Sequence, residues 1–424
     1  MSEHWDGDEL LAMVRRDVAA RIAAGRDGYS ALLEQARGHL TEALPEHIDP
    51  DAPQVRALAA TLPEYVDAAL AEHVHRQRRR PSRTDSERLT RAFRALDESG
   101  ILAREEFSCC NSCARVELDA AAGDTASRGY AYYHWQDTLL AADGASLMIG
   151  FESTHPVRHA AVGTEVTEAL RTHGLTVHWD GDPARKIEVD MDWSRRRHDR
   201  LAAFPGPEAP GEPHVEVGFT KVHPHPLPTW ITRHQGRVSV RELARLVLPW
   251  LPGGVRATVT GEGGRTAVLE RDFDLLRVEN GPALSRERVE ETLARWAVGA
   301  GWPTEDARST HLGLLDVTYA DSTVGGLGFV DHPEPLSTAA ARDLVYRLTP
   351  ADGVFGVFAC RSGDVVQMMW QTGPRLWLES PSPGERLARG RHVTLPEAEE
   401  MVRVLADEGR IALDDLGALQ VSHW

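Results

Sequence analysis

The feature that most constrains this chain is a weak internal repeat of about 98 residues in its second half. One copy opens with His214-Val215-Glu216-Val217-Gly218-Phe219, the other with His311-Leu312-Gly313-Leu314-Leu315-Asp316-Val317. Ser239 precedes a helical pattern carrying Leu243, Leu246 and Val247, and Ser337 precedes one carrying Ala341, Leu344 and Val345. Both copies then run through a strand pattern into a glycine turn, Glu262-Gly263-Gly264 in one and Arg361-Ser362-Gly363 in the other, followed by two more strand patterns. Each ends in a helix, from Ser285 to Trp296 and from Thr394 to Asp407. Thr394-Leu395-Pro396-Glu397 is a capping box with proline early in the helix, where its missing N–H costs little. The second copy closes with the strand Leu419–Trp424. Elements that agree in order and spacing argue for one small α+β fold used twice, over residues 214–303 and 311–424.

Upstream, residues 1–83 read as a helical N-terminal region. Leu10, Val14, Val18 and Ile22 follow a four-residue step that Gly25 stops. Further helices fit Tyr29–Leu40 and Pro53–His75. The basic stretch Arg76–Arg83 reads as a helix end and linker at Pro81, with a polyanion patch as the alternative. The capping box Thr84-Asp85-Ser86-Glu87 opens a central α/β domain, residues 84–200. There Tyr130–Trp135 and Ser146–Phe151 read as strands, Val162, Val166 and Leu170 as a helix face, and Leu175–Trp179 as a strand. Strand, helix, strand predicts a right-handed parallel crossover. The Pro- and Gly-rich residues 201–213 form a linker. The fold class is therefore α+β multidomain, with a helical start, a central α/β domain and two repeated small α+β modules.

A chain of 424 residues is too long for one core. Its net charge of −17 opposes general binding to nucleic acid or an acidic membrane and suits a basic protein partner. No apolar run is long enough to span a bilayer. The start Met1-Ser2-Glu3-His4-Trp5-Asp6 lacks the basic and apolar stretches of a secretory signal, so a cytoplasmic location is expected. Only Lys186 and Lys221 are lysines; the other 45 basic residues are arginine, as GC-rich coding would give.

The chemistry concentrates in Cys109-Cys110-Asn111-Ser112-Cys113. Cys110-x-x-Cys113 is the spacing with which two thiolates of a tight turn hold one zinc ion. Cys109, His134 and Asp137 are the candidates to complete such a site, the last two on the strand expected to follow. The same residues allow a thiol–disulfide couple, or a cysteine nucleophile with His134 as base and Asp137 or Gln136 orienting it. They also fit buried cysteines in a turn. Gly261-Glu262-Gly263-Gly264 lies between strands and reads as a hairpin turn, not a phosphate loop. His223 and His225 alternate with proline, as an extended loop would have it, and Glu72-His73-Val74-His75 places its histidines on different sides of a helix. Cys360 ends an apolar strand and is expected in the core.

Two resemblances follow. Residues from about Arg91 to Arg200 resemble an actinobacterial family of domains of unknown function. The likeness is carried by Phe107-Ser108-Cys109-Cys110-Asn111-Ser112-Cys113, by Gly129-Tyr130 leading to His134-Trp135-Gln136-Asp137-Thr138, and by Gly174-Leu175 leading to Trp179-Asp180-Gly181. Ala114 stands where that family often has glycine. The resemblance implies a shared site or staple and no activity. The two C-terminal copies resemble, in element pattern, a class of immunity proteins from bacterial polymorphic-toxin systems, which implies a protein-binding surface. The sequence names no reaction. The expectation is a non-enzymatic, immunity-like or regulatory protein-binding chain with a structural zinc. The alternative is a thiol-dependent enzyme or a redox or metal sensor built on the same cysteines.

Overall fold

The computed structural model describes residues 6–108, 111–124, 127–222, 226–310, 312–323 and 325–423. It is a mixed α+β structure with a helical start, a β-rich second half and three sheets among the described residues. The chain divides into two compact units, Met1–Arg197 and His198–Trp424.

The first unit begins with α1 (Gly7–Ala24), α2 (Tyr29–Glu42) and α3 (Pro53–Gln77), which pack on one another. Leu10, Val14, Val18 and Ile22 of α1 are buried, as their spacing requires. Asp6 caps α1, and Gly25 ends it with φ 78°. A side chain at Gly25 would also meet Arg195, its Cβ falling 2.9 Å from that residue's Cβ. Next come α4 (Asp85–Glu98), β1 (Ile101–Arg104), α5 (Asn111–Asp124), β2 (Gly129–Tyr132), α6 (Trp135–Ala142), β3 (Leu147–Ser153), α7 (His159–Thr172), β4 (Thr176–His178) and β5 (Ile187–Asp190). The capping box on α4 forms: Glu87 N–H donates to Thr84 Oγ1, and Thr84 N–H to Glu87 Oε2.

These strands form one sheet in the order β1-β2-β3-β5-β4. Alternation assigns its faces. Ile101, Ala103, Ala131 and Tyr133 join Phe93 of α4 and Val166 of α7 in one core, whereas Leu102, Tyr130 and Tyr132 pack with Leu118 of α5. The crossover expected between Ser146–Phe151 and Leu175–Trp179 does not make a neighbouring parallel pair. β5 lies between β3 and β4 and is antiparallel to both. The parallel neighbours are β1 and β2, joined through α5.

The second unit starts with α8 (Asp199–Ala202) and builds a six-stranded sheet from β6 (His214–Lys221), β7 (Gly236–Ser239), β8 (Val255–Thr260), β9 (Thr266–Asp272), β10 (Leu275–Val278) and β11 (Ala283–Ser285). Between them lie α9 (Thr229–Thr232) and α10 (Val240–Glu242), the latter continuing through a π turn to Val247; α11 (Val289–Ala297) follows. A seven-stranded sheet then uses β12 (Leu314–Asp321), β13 (Gly328–Ser337), β14 (Phe355–Ala359), β15 (Val365–Gln371), β16 (Arg375–Ser382), β17 (Leu387–Val393) and β18 (Gln420–His423). Its helices are α12 (Thr338–Arg347) and α13 (Leu395–Glu408). The orders are β7-β6-β8-β9-β10-β11 and β13-β12-β14-β15-β16-β17-β18, antiparallel throughout.

Each of these two sheets contains a second strand just before its serine-capped helix, β7 or β13, and a fourth strand after that helix, β11 or β17, that the sequence did not signal. β13 carries Pro333 and Pro335, which mask a strand, and it is tolerated because it lies at a sheet edge. Ser285 ends β11 rather than starting a helix; α11 begins at Val289. Gly261–Gly264 is the turn between β8 and β9, closed by Gly261 N–H to the Arg265 carbonyl at 2.9 Å. Cys360 is buried against the helix-covered side of the second sheet.

Candidate functional site

Two loops leave the carboxyl ends of β1 and β2, the edge at which open α/β sheets gather ligand-contacting groups. The first, Glu105 onward, leads into α5. The second, Tyr133-His134, leads into α6. Phe107 joins them from both sides of its backbone. Its N–H donates to the Tyr133 carbonyl at 2.8 Å, and its carbonyl lies 2.9 Å from His134 Nδ1.

The first loop is held in an unusual conformation. Glu106 (φ 50°) and Ser108 (φ 58°) lie in the left-handed region, which costs a side-chain-bearing residue about 1 kcal/mol. Such strain persists where neighbours over-determine it, and here they do. Glu105 Oε2 accepts from Thr90 Oγ1 at 3.1 Å, from the Tyr133 hydroxyl at 3.3 Å and from Arg195 Nη2 at 3.3 Å. Arg94 Nη2 stands 3.8 Å from Glu105 Oε1. Glu106 pairs with Arg26 at 3.0 Å, and Arg26 in turn stacks on Trp135. Burial, and then the charges of Glu105 and Glu106, push the Tyr133 hydroxyl well above its usual pKa, so it remains a donor.

His134 is 4% exposed and stands at the start of α6, not inside a strand as its aromatic neighbours suggested. The strand stops at Tyr132, and Asp137 makes the break: its carboxylate accepts the His134 N–H at 2.9 Å and so caps the helix. Lys186 Nζ lies 3.9 Å from the same Asp137 oxygen. The Phe107 carbonyl can only accept, so Nδ1 carries the hydrogen in its bond with His134. In the neutral ring the lone pair is then on Nε2. This arrangement serves equally for a metal ligand and for a proton acceptor.

Of the other expected site residues, Cys109 and Cys110 lie outside the described residues, as do His223 and His225. Cys113 falls in the first turn of α5. Among the described residues, no three His, Cys, Asp or Glu side chains converge on a metal-sized point. His73 lies in α3, where it is buried and bonded to the Arg195 carbonyl.

The sequence did not single out the charge network behind the loop. Asp97 Oδ1 accepts from Arg104 Nη1 and from the Ala103 N–H, both at 3.0 Å, and Arg94 Nη1 lies 3.5 Å from Asp97 Oδ2. Burial raises the Asp97 pKa against the opposing pull of Arg104 and Arg94. One signal was present: Asp97 and Glu98 end a helix at the pole that repels acidic groups, a placement that needs cationic partners.

No curated protein and no solved structure matches this chain. Residues 7–197 match a family model, and that span, which takes in the three N-terminal helices, falls within the first compact unit. The part of the chain that carries His134 and the cysteine tract is thus similar to, and covered by, a domain of unknown function, DUF6891.

Proposed function

We propose that the chain is a non-enzymatic binding protein whose first unit is stapled by a zinc ion. Its ligands are the thiolates of the Cys109, Cys110 and Cys113 tract together with His134 Nε2. The observation that carries this reading is the bond between His134 Nδ1 and the Phe107 carbonyl. It fixes the imidazole with its lone pair on the far nitrogen, and it does so from the loop that runs into the cysteines. Thiolate and neutral imidazole together select zinc over the hard cations. Asp137 drops out of the preferred ligand set because its carboxylate caps α6.

The test is elemental analysis of the full chain purified under reducing conditions. One zinc per chain is expected in the wild type, and less in Cys113→Ser and His134→Ala. A chain grown with ample zinc that carries none, and that melts at the same temperature with and without added zinc, would overturn the reading.

A cationic protein partner suits the charge of −17. The surface offered for it is the face of the second unit's larger sheet opposite α12 and α13. There Phe329, Ala320, Phe355, Met369, Trp377 and His392 stand in register across six strands, with Phe329 and Met369 exposed.

A second reading, thiol chemistry, is favoured by one observation: Cys113 falls in the first turn of a helix that follows a strand, where the helix dipole favours a thiolate. Iodoacetamide at neutral pH separates the two. Rapid labelling of one cysteine in the metal-free chain supports thiol chemistry, and uniform inertness removes it.

A further inference from the structure

We propose that Arg200 and Glu334, in the second unit, form a binding site for a small zwitterion of the amino-acid class, with the ligand carboxylate on the guanidinium and the ligand ammonium on the Glu334 carboxylate. The site uses none of the residues of the zinc reading and is tested independently of it.

The bond between Asp199 and Ser337 brings the two charges together. Asp199 holds a left-handed φ of 53°, and its Oδ2 accepts the Ser337 N–H at 2.8 Å. Strained backbone of this kind gathers where a ligand is held. The bond ties α8 to the end of β13, so that Arg200 follows directly on the residue anchored there and Glu334 lies just before it on the strand. Glu334 stands opposite Val317 on β12, and Tyr319 comes next along the same face of that strand. α9 supplies Trp230, and the Arg200 guanidinium lies 4.6 Å from the centre of its ring.

The charges act on one another without pairing. Burial lowers the Arg200 pKa, and Glu334 is the larger of the two influences that oppose it. Burial first, and Glu334 next, push the Tyr319 hydroxyl up to about 12, so it remains a donor. Among the described residues, however, the Arg200 guanidinium has no hydrogen-bond acceptor and no ion-pair partner, and the Glu334 carboxylate has no donor. Trp230 Nε1 is buried and also lacks an acceptor among them. Arg347, the other cation acting on Tyr319, already has Asp343 at 3.7 Å. A guanidinium taken from water without an acceptor is costly, and the indole face holds it in place. Alone, its planar fork would take any carboxylate. Glu334 narrows the choice. It repels a plain anion and offers a counter-charge to an ammonium, so a molecule carrying both groups satisfies the two side chains at once. The Tyr319 hydroxyl is a further donor for the carboxylate.

The test begins with the full wild-type chain. Each of the common free L-amino acids is added at millimolar concentration, and the melting temperature is followed. At least one is expected to raise it and to give a saturable heat signal in calorimetric titration. The methyl ester of that amino acid, which lacks the carboxylate, and its N-acetyl form, which lacks the ammonium, are expected to lose binding. These arms change only the ligand, so they do not depend on any variant folding. Arg200→Gln and Glu334→Gln are each expected to weaken binding of the free amino acid by about tenfold or more. The proposal is overturned if no free amino acid binds the wild-type chain. It is overturned equally if the N-acetyl form or acetate binds as tightly as the free amino acid, because the site then reads a carboxylate alone. Unchanged affinity in a folded Arg200→Gln or Glu334→Gln chain also removes it, since the ligand then sits elsewhere.

Discussion

The His73 imidazole lies 3.2 Å from the Arg195 carbonyl oxygen, which ties the last turns of α3 to the segment that closes the first unit. A carbonyl accepts, so His73 Nε2 is the donor. Burial first, and the nearby charge of Arg197 next, lower the His73 pKa from 6.5 to about 4. The folded state therefore keeps the ring neutral while the unfolded chain protonates it below pH 6.5. Stability contributed by neutral His73 is present above that pH and is lost as pH falls toward 4. The full interval corresponds to about 3 kcal/mol. Urea unfolding of wild type and His73→Gln at pH 7, 5.5 and 4 should show the wild type losing stability more steeply by about that amount. Parallel pH curves for the two would remove His73 as the cause.

Arg271 and Asp316 predict a second dependence on pH. Arg271, on β9, donates to Asp316 Oδ1 on β12 at 2.6 Å, and its side chain is 1% exposed. Burial holds the Asp316 carboxyl above its usual pKa even with Arg271 beside it. Arg271→Met leaves a buried carboxylate without its cation and should cost about 3–5 kcal/mol near neutral pH. A group whose folded pKa is raised loses its contribution as pH rises, so the cost should shrink on acidification. Denaturant midpoints for the variant at pH 7 and pH 4 check this, and an equal loss at both would contradict it.

Gly129 opens β2 where the sheet allows no side chain. A Cβ there would fall 2.4 Å from the Glu152 carbonyl oxygen and 3.1 Å from Ser153 Cα, both on the partner strand's backbone. Gly129→Ala should therefore lower stability by about 1–3 kcal/mol. Strand propensity alone would favour alanine, so an unchanged or higher melting temperature would show that β2 and β3 can separate cheaply.

At α13 the Thr394 hydroxyl accepts the Glu397 N–H, and the Thr394 N–H donates to Glu397 Oε2 at 2.7 Å. Thr394→Ala should cost about 1 kcal/mol. Thr394→Ser, which keeps the acceptor, should cost little. A thermal melt of the two variants separates loss of the cap from loss of the methyl group.

Local rules in the sequence were enough for much of the fold. The capping boxes at Thr84 and Thr394, the stop at Gly25 and the spacing of Leu10, Val14 and Val18 act within a few residues, and each appears in the structure. Features set by distant partners were not legible. β13 hides behind two prolines that only an edge position excuses. His134 looked like part of a strand because aromatic residues precede it, and only the Asp137 cap moves it into a helix start. Glu105, Arg94 and Arg195 are dispersed in sequence among unremarkable charges, and folding alone brings them together. The tautomer of His134 depends on a carbonyl 27 residues earlier, which no spacing rule signals.

The segment Trp193–Arg197 has a consequence for where the first unit can be cut. A chain ending at Asp190 keeps all five strands of the sheet. It loses, however, the Trp193 ring beside Tyr133, the Arg195 N–H on the Ala23 carbonyl, the guanidinium on Glu105 and the Arg197 bond to the Ile22 carbonyl. Five residues beyond the last strand thus act as a drawstring that gathers helix and sheet. Shortening the polypeptide there should loosen the N-terminal helices before it disturbs any strand.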